Sequence, residues 1–270
     1  MDEAPIPEPQ VEVRKGFRQQ LDDLRREVVR EAAMVTEAVT RCTEVLLDND
    51  LDGAQQLIEE DDELDFLSLE IEEHAVALLT LEAPVASDLR AVVAALKMNG
   101  EIERSGDLAV NVAKACRRIY GVQYSPRCRG LIERMSEEAT RLYRFAIDAY
   151  VEGNASLAGA LDDMDDRLDE LHKDFVQAIF EAHNNDEIDL QAAVQLALVG
   201  RYYERIGDHA VNIGAMVQFM VTGWMPEHTG AARVRARREH EAERLAGLEA
   251  LAIDGAAGNG AGDDGGRDAG

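Results

Sequence analysis

The chain has 270 residues, 46% hydrophobic but only 5% aromatic, and its 54 Asp and Glu against 28 Lys and Arg leave a formal net charge of −26. A surface this acidic excludes binding to DNA, RNA or anionic lipid by counterion release, which needs a basic face, and it favours cations as ligands. Cys42, Cys116 and Cys128 are odd in number and form no Cys-x-x-Cys pair, which implies reduced, buried thiols rather than a disulfide frame or a zinc site.

Abundant Ala, Leu, Val, Glu and Arg predict an all-α fold. Residues 1–14, rich in Pro and acids, are expected to be disordered. The start, Met1-Asp2-Glu3-Ala4-Pro5, lacks the basic and apolar regions of a signal peptide. No apolar run approaches the roughly 20 residues of a membrane span. The expectation is a cytoplasmic protein without direct membrane insertion.

A first helix is predicted from about Phe17 to Leu47, on the spacing of Leu21, Leu24, Val28, Val35, Val39 and Leu46. Asp48-Asn49-Asp50 ends it, and a second helix carries Leu57, Leu64, Leu67, Ile71 and Leu78 to about Leu81. Pro84 breaks the chain, and Ser87 or Asp88 is positioned to cap a third helix that reaches about Ile119. The order then repeats. Ser125-Pro126 opens a helix to about Tyr150, and Glu152-Gly153-Asn154 forms a turn. The next helix carries Leu161, Met164, Leu168, Leu171 and Phe175, and the last runs from about Ile188 to Val221. The predicted architecture is therefore two tandem, similar three-helix bundles, residues 15–121 and 122–226, with a mostly disordered tail over 227–270.

The strongest signal is a repeated phrase. Residues 103–112 read ERSGDLAVNV, and 101 residues further on, 204–213 read ERIGDHAVNI. Internal self-similarity of this kind marks a duplication with one functional constellation per half. In the second copy Ile206, Ala210, Ile213 and Val217 form one apolar stripe, and Glu204, Asp208 and Asn212 lie roughly opposite. The first copy sets Glu103, Asp107 and Asn111 opposite Ile102, Ala109 and Val112. Carboxylates at i and i+4 repel each other. Either the neighbouring Arg104 and Arg205 or a metal ion would compensate them. Gly106 and Gly207 accept the cost of glycine within a helix, about 0.5–1 kcal/mol relative to alanine, which implies close approach of another helix or a ligand.

The second helix of each half supplies Asp61 with Asp65 and, 104 residues on, Asp165 with Asp169. An antiparallel neighbour would bring these pairs to the third-helix pairs. Four converging carboxylates suit Mn, Fe, Mg or, less typically, Zn, and His172 lies one turn past Asp169. The alternative is that these acids are ordinary surface charges paired with local arginines. His209 replaces Leu108 of the first copy and is read as an edge residue rather than a ligand, and His74 and His183 as structural. No P-loop, His-Glu-x-x-His or Gly-x-Ser-x-Gly motif is present, so no catalytic residue is assigned. A carboxylate-bridged metalloenzyme, redox or hydrolytic, is the rival reading. A Glu-x-x-His on each of two helices would favour it, and the chain has only Asp169-x-x-His172.

ERSGDLAVNVA at 103–113, RYYERIGDHAVNI at 201–213 and the Pro84-x-x-Ser87-Asp88-Leu89-Arg90 approach to the third helix resemble the PhoU family, the accessory regulators of the phosphate-specific transport system, over about residues 17–224. The resemblance implies two similar three-helix bundles side by side. It implies multinuclear clusters, of iron or zinc, bound by motif pairs that fall here on Glu103 with Asp107, Asp61 with Asp65, Glu204 with Asp208 and Asp165 with Asp169. It further implies negative regulation of phosphate uptake and of the starvation response. The partners so implied are the ATP-binding subunit of the phosphate transporter and the phosphate-sensing histidine kinase. A homodimer is expected. Ser105 stands where the second copy has Ile206, and Asn99-Gly100-Glu101 replaces its approach, so the two centres are expected to differ.

Overall fold

The structure is a computed structural model that describes residues 8–224. The expectations for residues 1–7 and for the tail over 227–270 fall on residues outside that range. Helix α1 spans Glu8–Asp48 and so begins inside the segment expected to be disordered. At about 1.5 Å per residue its 41 residues reach roughly 60 Å. It buries Leu24, Val28, Val35, Val39 and Leu46, the stripe that the sequence spacing marks. Asn49 turns the chain at φ 55°, and Asp50 accepts a hydrogen bond from Gly53 N at 3.0 Å to cap α2, Leu51–Leu81.

Helix α3, Ser87–Arg118, departs from the expected cap. Ser87 already lies inside the helix, and Ala86, at φ 49°, occupies the cap position with no side-chain hydrogen bond. In the connection around Pro84, Ala83 and Ala86 both lie at positive φ. The helix is therefore entered one residue early, through the bond from Arg90 N to the Ala86 carbonyl.

Ser125 caps α4, Pro126–Glu152, by accepting from Cys128 N at 3.2 Å, and Pro126 fills the first turn, where a missing N–H costs nothing. The helix ends on Gly153 in the left-handed region. The single helix expected next is broken into α5, Ala155–Gly159, and α6, Leu161–Asn184. Asn154 caps α5 by accepting from Leu157 N at 3.0 Å, and Ala160 N closes it on the Ser156 and Leu157 carbonyls at 3.2 and 3.1 Å. Gly214 then lets the break lie against the last helix, since a Cβ there would sit 2.6 Å from Leu161 Cδ1 and 2.8 Å from the Ala158 carbonyl oxygen. Helix α7, Leu190–Thr222, is capped by Asp189 on Ala192 N at 2.7 Å and closed by Gly223.

Helices α1, α2 and α3 pack on one another, as do α4, α6 and α7 with α5 beside them. The two bundles then join through α3 on α7 and α1 on α4. One continuous apolar core runs through both. At the junction the hydroxyls of Thr43, Ser136 and Tyr203 meet at 2.7 Å. The three cysteines are free and buried. Among the described residues no helix is long and apolar enough to cross a membrane.

Candidate metal centres

In the first half, α2 and α3 run antiparallel, pinned by Asn99 Nδ2 donating to the Ser68 carbonyl at 3.1 Å and by Arg117 on Gln55 at 2.9 Å. A Cβ on Gly106 would overlap Leu64 Cδ2, so glycine is what lets α2 close on α3. This register lays Asp61 and Asp65 beside Asp107 and Glu103. Partial burial, then the charges of Asp65 and Asp107, push the Asp61 carboxyl up to about 6. Burial followed by Asp107 and Asp65 raises Glu103 as well.

The second half repeats the arrangement. A Cβ on Gly207 would overlap Asp165 Oδ1 and would lie 2.7 Å from Leu168 Cδ2, so the glycine makes room for the carboxylate itself. Burial, then Asp208 and Asp169, push Asp165 up to about 7. Asp208 is raised too, by burial first, with Arg201 opposing and Asp169 adding. Arg201 pairs with Glu204, a cation the sequence reading does not name, while the charge of Arg205 acts on Asp208 without a direct ion pair. In the first half Arg104 forms its ion pair with Glu101, and its charge also acts to lower Glu103. The His172 ring lies against Gly200, and burial, followed by the Arg201 charge, lowers its pKa and keeps the imidazole neutral and able to act as a ligand.

Asp61, Asp65, Glu103 and Asp107 thus act on one another across α2 and α3, and Asp165, Asp169 and Asp208 across α6 and α7, with Glu204 one turn before Asp208 and held by Arg201. Two features fit a divalent cation. Asp165 Oδ1 and Glu204 Oε2 are buried without a hydrogen-bond partner, which is costly for oxygens able to accept. Burial lifts Asp61, Glu103, Asp165 and Asp208 first, and the repulsion between neighbouring acids that adds to it is what a bound cation would relieve. Among the described residues no three of these side chains are yet drawn close enough to share one ion. Loading would therefore require the carboxylates to rotate inward. The chemistry the ion would supply is a fixed positive charge on an acidic face, and the chain's own part is to present the oxygens.

Two features escape the sequence reading. His209 is buried, not at an edge. It lies between α3 and α7 with Nδ1 2.7 Å from Glu101 Oε2, and Asn212 Nδ2 donates to the same oxygen at 3.0 Å. Burial acts to raise Glu101, but these two hydrogen bonds together with the charges of Arg104 and His209 outweigh it and leave its pKa lowered. The group ties one half to the other. The second feature is Glu31 on α1, fully buried, with both carboxylate oxygens unpartnered. Burial and then the Glu103 charge push it up to about 8, with Ser68 opposing slightly. His74 and His183 serve structure, on Glu27 at 2.8 Å and on the Ile188 carbonyl at 3.0 Å.

The chain matches the PhoU domain twice, over residues 28–116 and 132–217. It is 33% identical over 215 residues to the phosphate-specific transport system accessory protein PhoU homolog 1 of Mycobacterium tuberculosis, covering 79% of this chain and 96% of that protein. Against PhoU homolog 2 of the same organism the identity is 34%, covering 79% of this chain and 100% of the relative. The crystal structure of PhoU from Pseudomonas aeruginosa superposes with a TM-score of 0.72 at 28% identity, covering 77% of this chain and 100% of that one. PhoU from Streptococcus pneumoniae, at 22% identity, 78% of this chain, 100% of that one and the same TM-score of 0.72, agrees in fold. A doubled domain match, relatives aligned over nearly their whole length and a shared two-bundle architecture together place this chain in the PhoU family.

Proposed function

We propose that the protein is a metal-binding adaptor that restrains phosphate uptake and holds the phosphate-starvation response off when phosphate is plentiful. Family membership supports the coarser part of this reading, since the matched relatives are named as accessory proteins of the phosphate-specific transport system. The finer part rests on one observation. Each half carries two i, i+4 carboxylate pairs on neighbouring helices, with Asp61 and Asp165 lifted by partial burial first and by the neighbouring acids second.

Asp61, Asp65, Glu103 and Asp107 would hold ions in the first centre, and Asp165, Asp169, Glu204 and Asp208 in the second, with iron or zinc, or else manganese or magnesium, as the occupant. A loaded centre converts a repelling acidic patch into a fixed feature that a partner can dock against. The partners on this reading are the ATP-binding subunit of the phosphate transporter and the phosphate-sensing histidine kinase, met in the cytoplasm by a homodimer. The direct test is the metal content of the purified protein after exposure to Fe²⁺, Zn²⁺ or Mn²⁺ and removal of free ion. Bound metal at more than one ion per chain supports the reading. Metal-dependent turnover in an oxygen-consumption or phosphatase assay would replace the adaptor with an enzyme.

A further inference from the structure

We propose that the two centres are chemically unequal because Glu31, reaching in from α1, serves as a fifth carboxylate ligand of the first centre alone. The inference rests on the metal-binding reading above and adds to it a residue outside the repeated motif.

Three observations converge. Glu31 is fully buried and neither carboxylate oxygen has a hydrogen-bond partner within 3.5 Å, the Ser68 hydroxyl being the one donor that acts on it from further off. An unpaired carboxyl in a core is costly enough that it calls for a ligand, a proton or a water. Its surroundings also point at the centre, for the charged group it faces is Glu103, across α1 and α3, with Ser68 of α2 beside it. Third, the duplication supplies an internal control. Asp50 and Asn154 cap equivalent helices, accepting from Gly53 N and Leu157 N at 3.0 Å each. In that register Leu24, Val28, Val35 and Val39 of α1 match Cys128, Ile132, Ala139 and Tyr143 of α4, all of them buried. Glu31 then matches Met135, which is also fully buried. The core position tolerates methionine in one half, so packing alone does not require a carboxylate in the other.

The surroundings of the second centre differ in the opposite sense. His172 stands where the first half has Ser68, and Arg201 makes a direct ion pair with Glu204, whereas Arg104 and Lys114 act on Glu103 and Asp61 of the first centre without one. The first centre is thus an all-oxygen, strongly anionic set suited to Mn²⁺, and the second, with an imidazole at hand, is better matched to Zn²⁺.

The test is made in the full chain carrying Asp165→Asn and Asp208→Asn, so that only the first centre can load. Mn²⁺ binding is read from the free-ion electron paramagnetic resonance signal, and bound metal by elemental analysis. With Glu31→Gln, and independently with Glu31→Met, affinity for Mn²⁺ is expected to fall at least about tenfold. The melting temperature of the metal-free protein should hold or rise, because a buried unpaired carboxyl has been removed. Unchanged Mn²⁺ affinity in both variants would overturn the role of Glu31 while leaving the metal reading intact. Failure of the Glu31-containing protein to bind Mn²⁺ at all would overturn the first centre itself, and this inference with it.

Discussion

Asp165 and Glu31 are the residues where burial and charge conflict most. Both have folded-state pKa values above their ordinary ones, about 7 and about 8. The folded chain therefore binds more protons than the unfolded one between roughly pH 4 and 8. Stability should be fully present near pH 4 and lost as the pH rises through 7 and 8. For metal-free protein in chelator, the melting temperature is expected to be several degrees higher at pH 5 than at pH 8. Asp165→Asn should remove part of that slope, on the order of 1–2 kcal/mol after discounting for the carboxyl's partial exposure. Added Mn²⁺ or Zn²⁺ should reverse the trend, because a cation binds the deprotonated oxygens. Asp107→Ala combined with Asp208→Ala is expected to abolish metal loading with the far-ultraviolet circular dichroism almost unchanged. Global unfolding of that double variant would make the carboxylates structural instead. The four motif positions are legible in the sequence because duplication shows each of them twice. Glu31 and the Glu101–His209 pair are not, since Met135, Tyr202 and Leu108 stand at their counterparts and the repeat erases the signal.

At the scale of elements, caps and glycines decide how closely helices approach. Gly207→Ala would ordinarily gain about 0.5–1 kcal/mol of helix propensity. Here the added methyl overlaps Asp165 Oδ1 and crowds Leu168, so a net loss of about 1–3 kcal/mol is expected, together with weaker metal binding at the second centre. Denaturant unfolding and metal titration of the one variant check both. Gly106→Ala, which meets only the flexible end of Leu64, should cost less. Ser125→Ala should lose about 1 kcal/mol through its cap on Cys128 N. Helix existence and order are readable from apolar spacing and from Asp50, Ser125, Asn154 and Asp189, whose side chains cap as their types allow. The break at Ala160 and the uncapped start at Ser87 are not. Both follow from tertiary packing and from the positive-φ connection around Pro84, which no local pattern encodes.

For the molecule as a whole, the duplicated halves share a core. Helix α3 lies on α7 and α1 on α4, and buried residues such as Leu108, Val112, Ile206 and Ile213 belong to a single cluster. Residues 15–121 expressed alone are therefore expected to expose that face and to aggregate, whereas the full chain melts in one cooperative transition by calorimetry. Long helices built on one shared core suit a protein that presents docking faces, and the acidic surface leaves cations and basic partner faces as its complements. The central claim joins that surface to phosphate control. Its most direct test is affinity capture of the tagged protein from phosphate-replete cells, beside the Asp107→Ala, Asp208→Ala variant, with bound proteins identified by mass spectrometry. The expected result is recovery of the phosphate transporter's ATP-binding subunit or the sensor histidine kinase with the unaltered protein and a clear loss with the variant. Recovery of neither after crosslinking, from a protein shown to carry its metal, would contradict the adaptor reading.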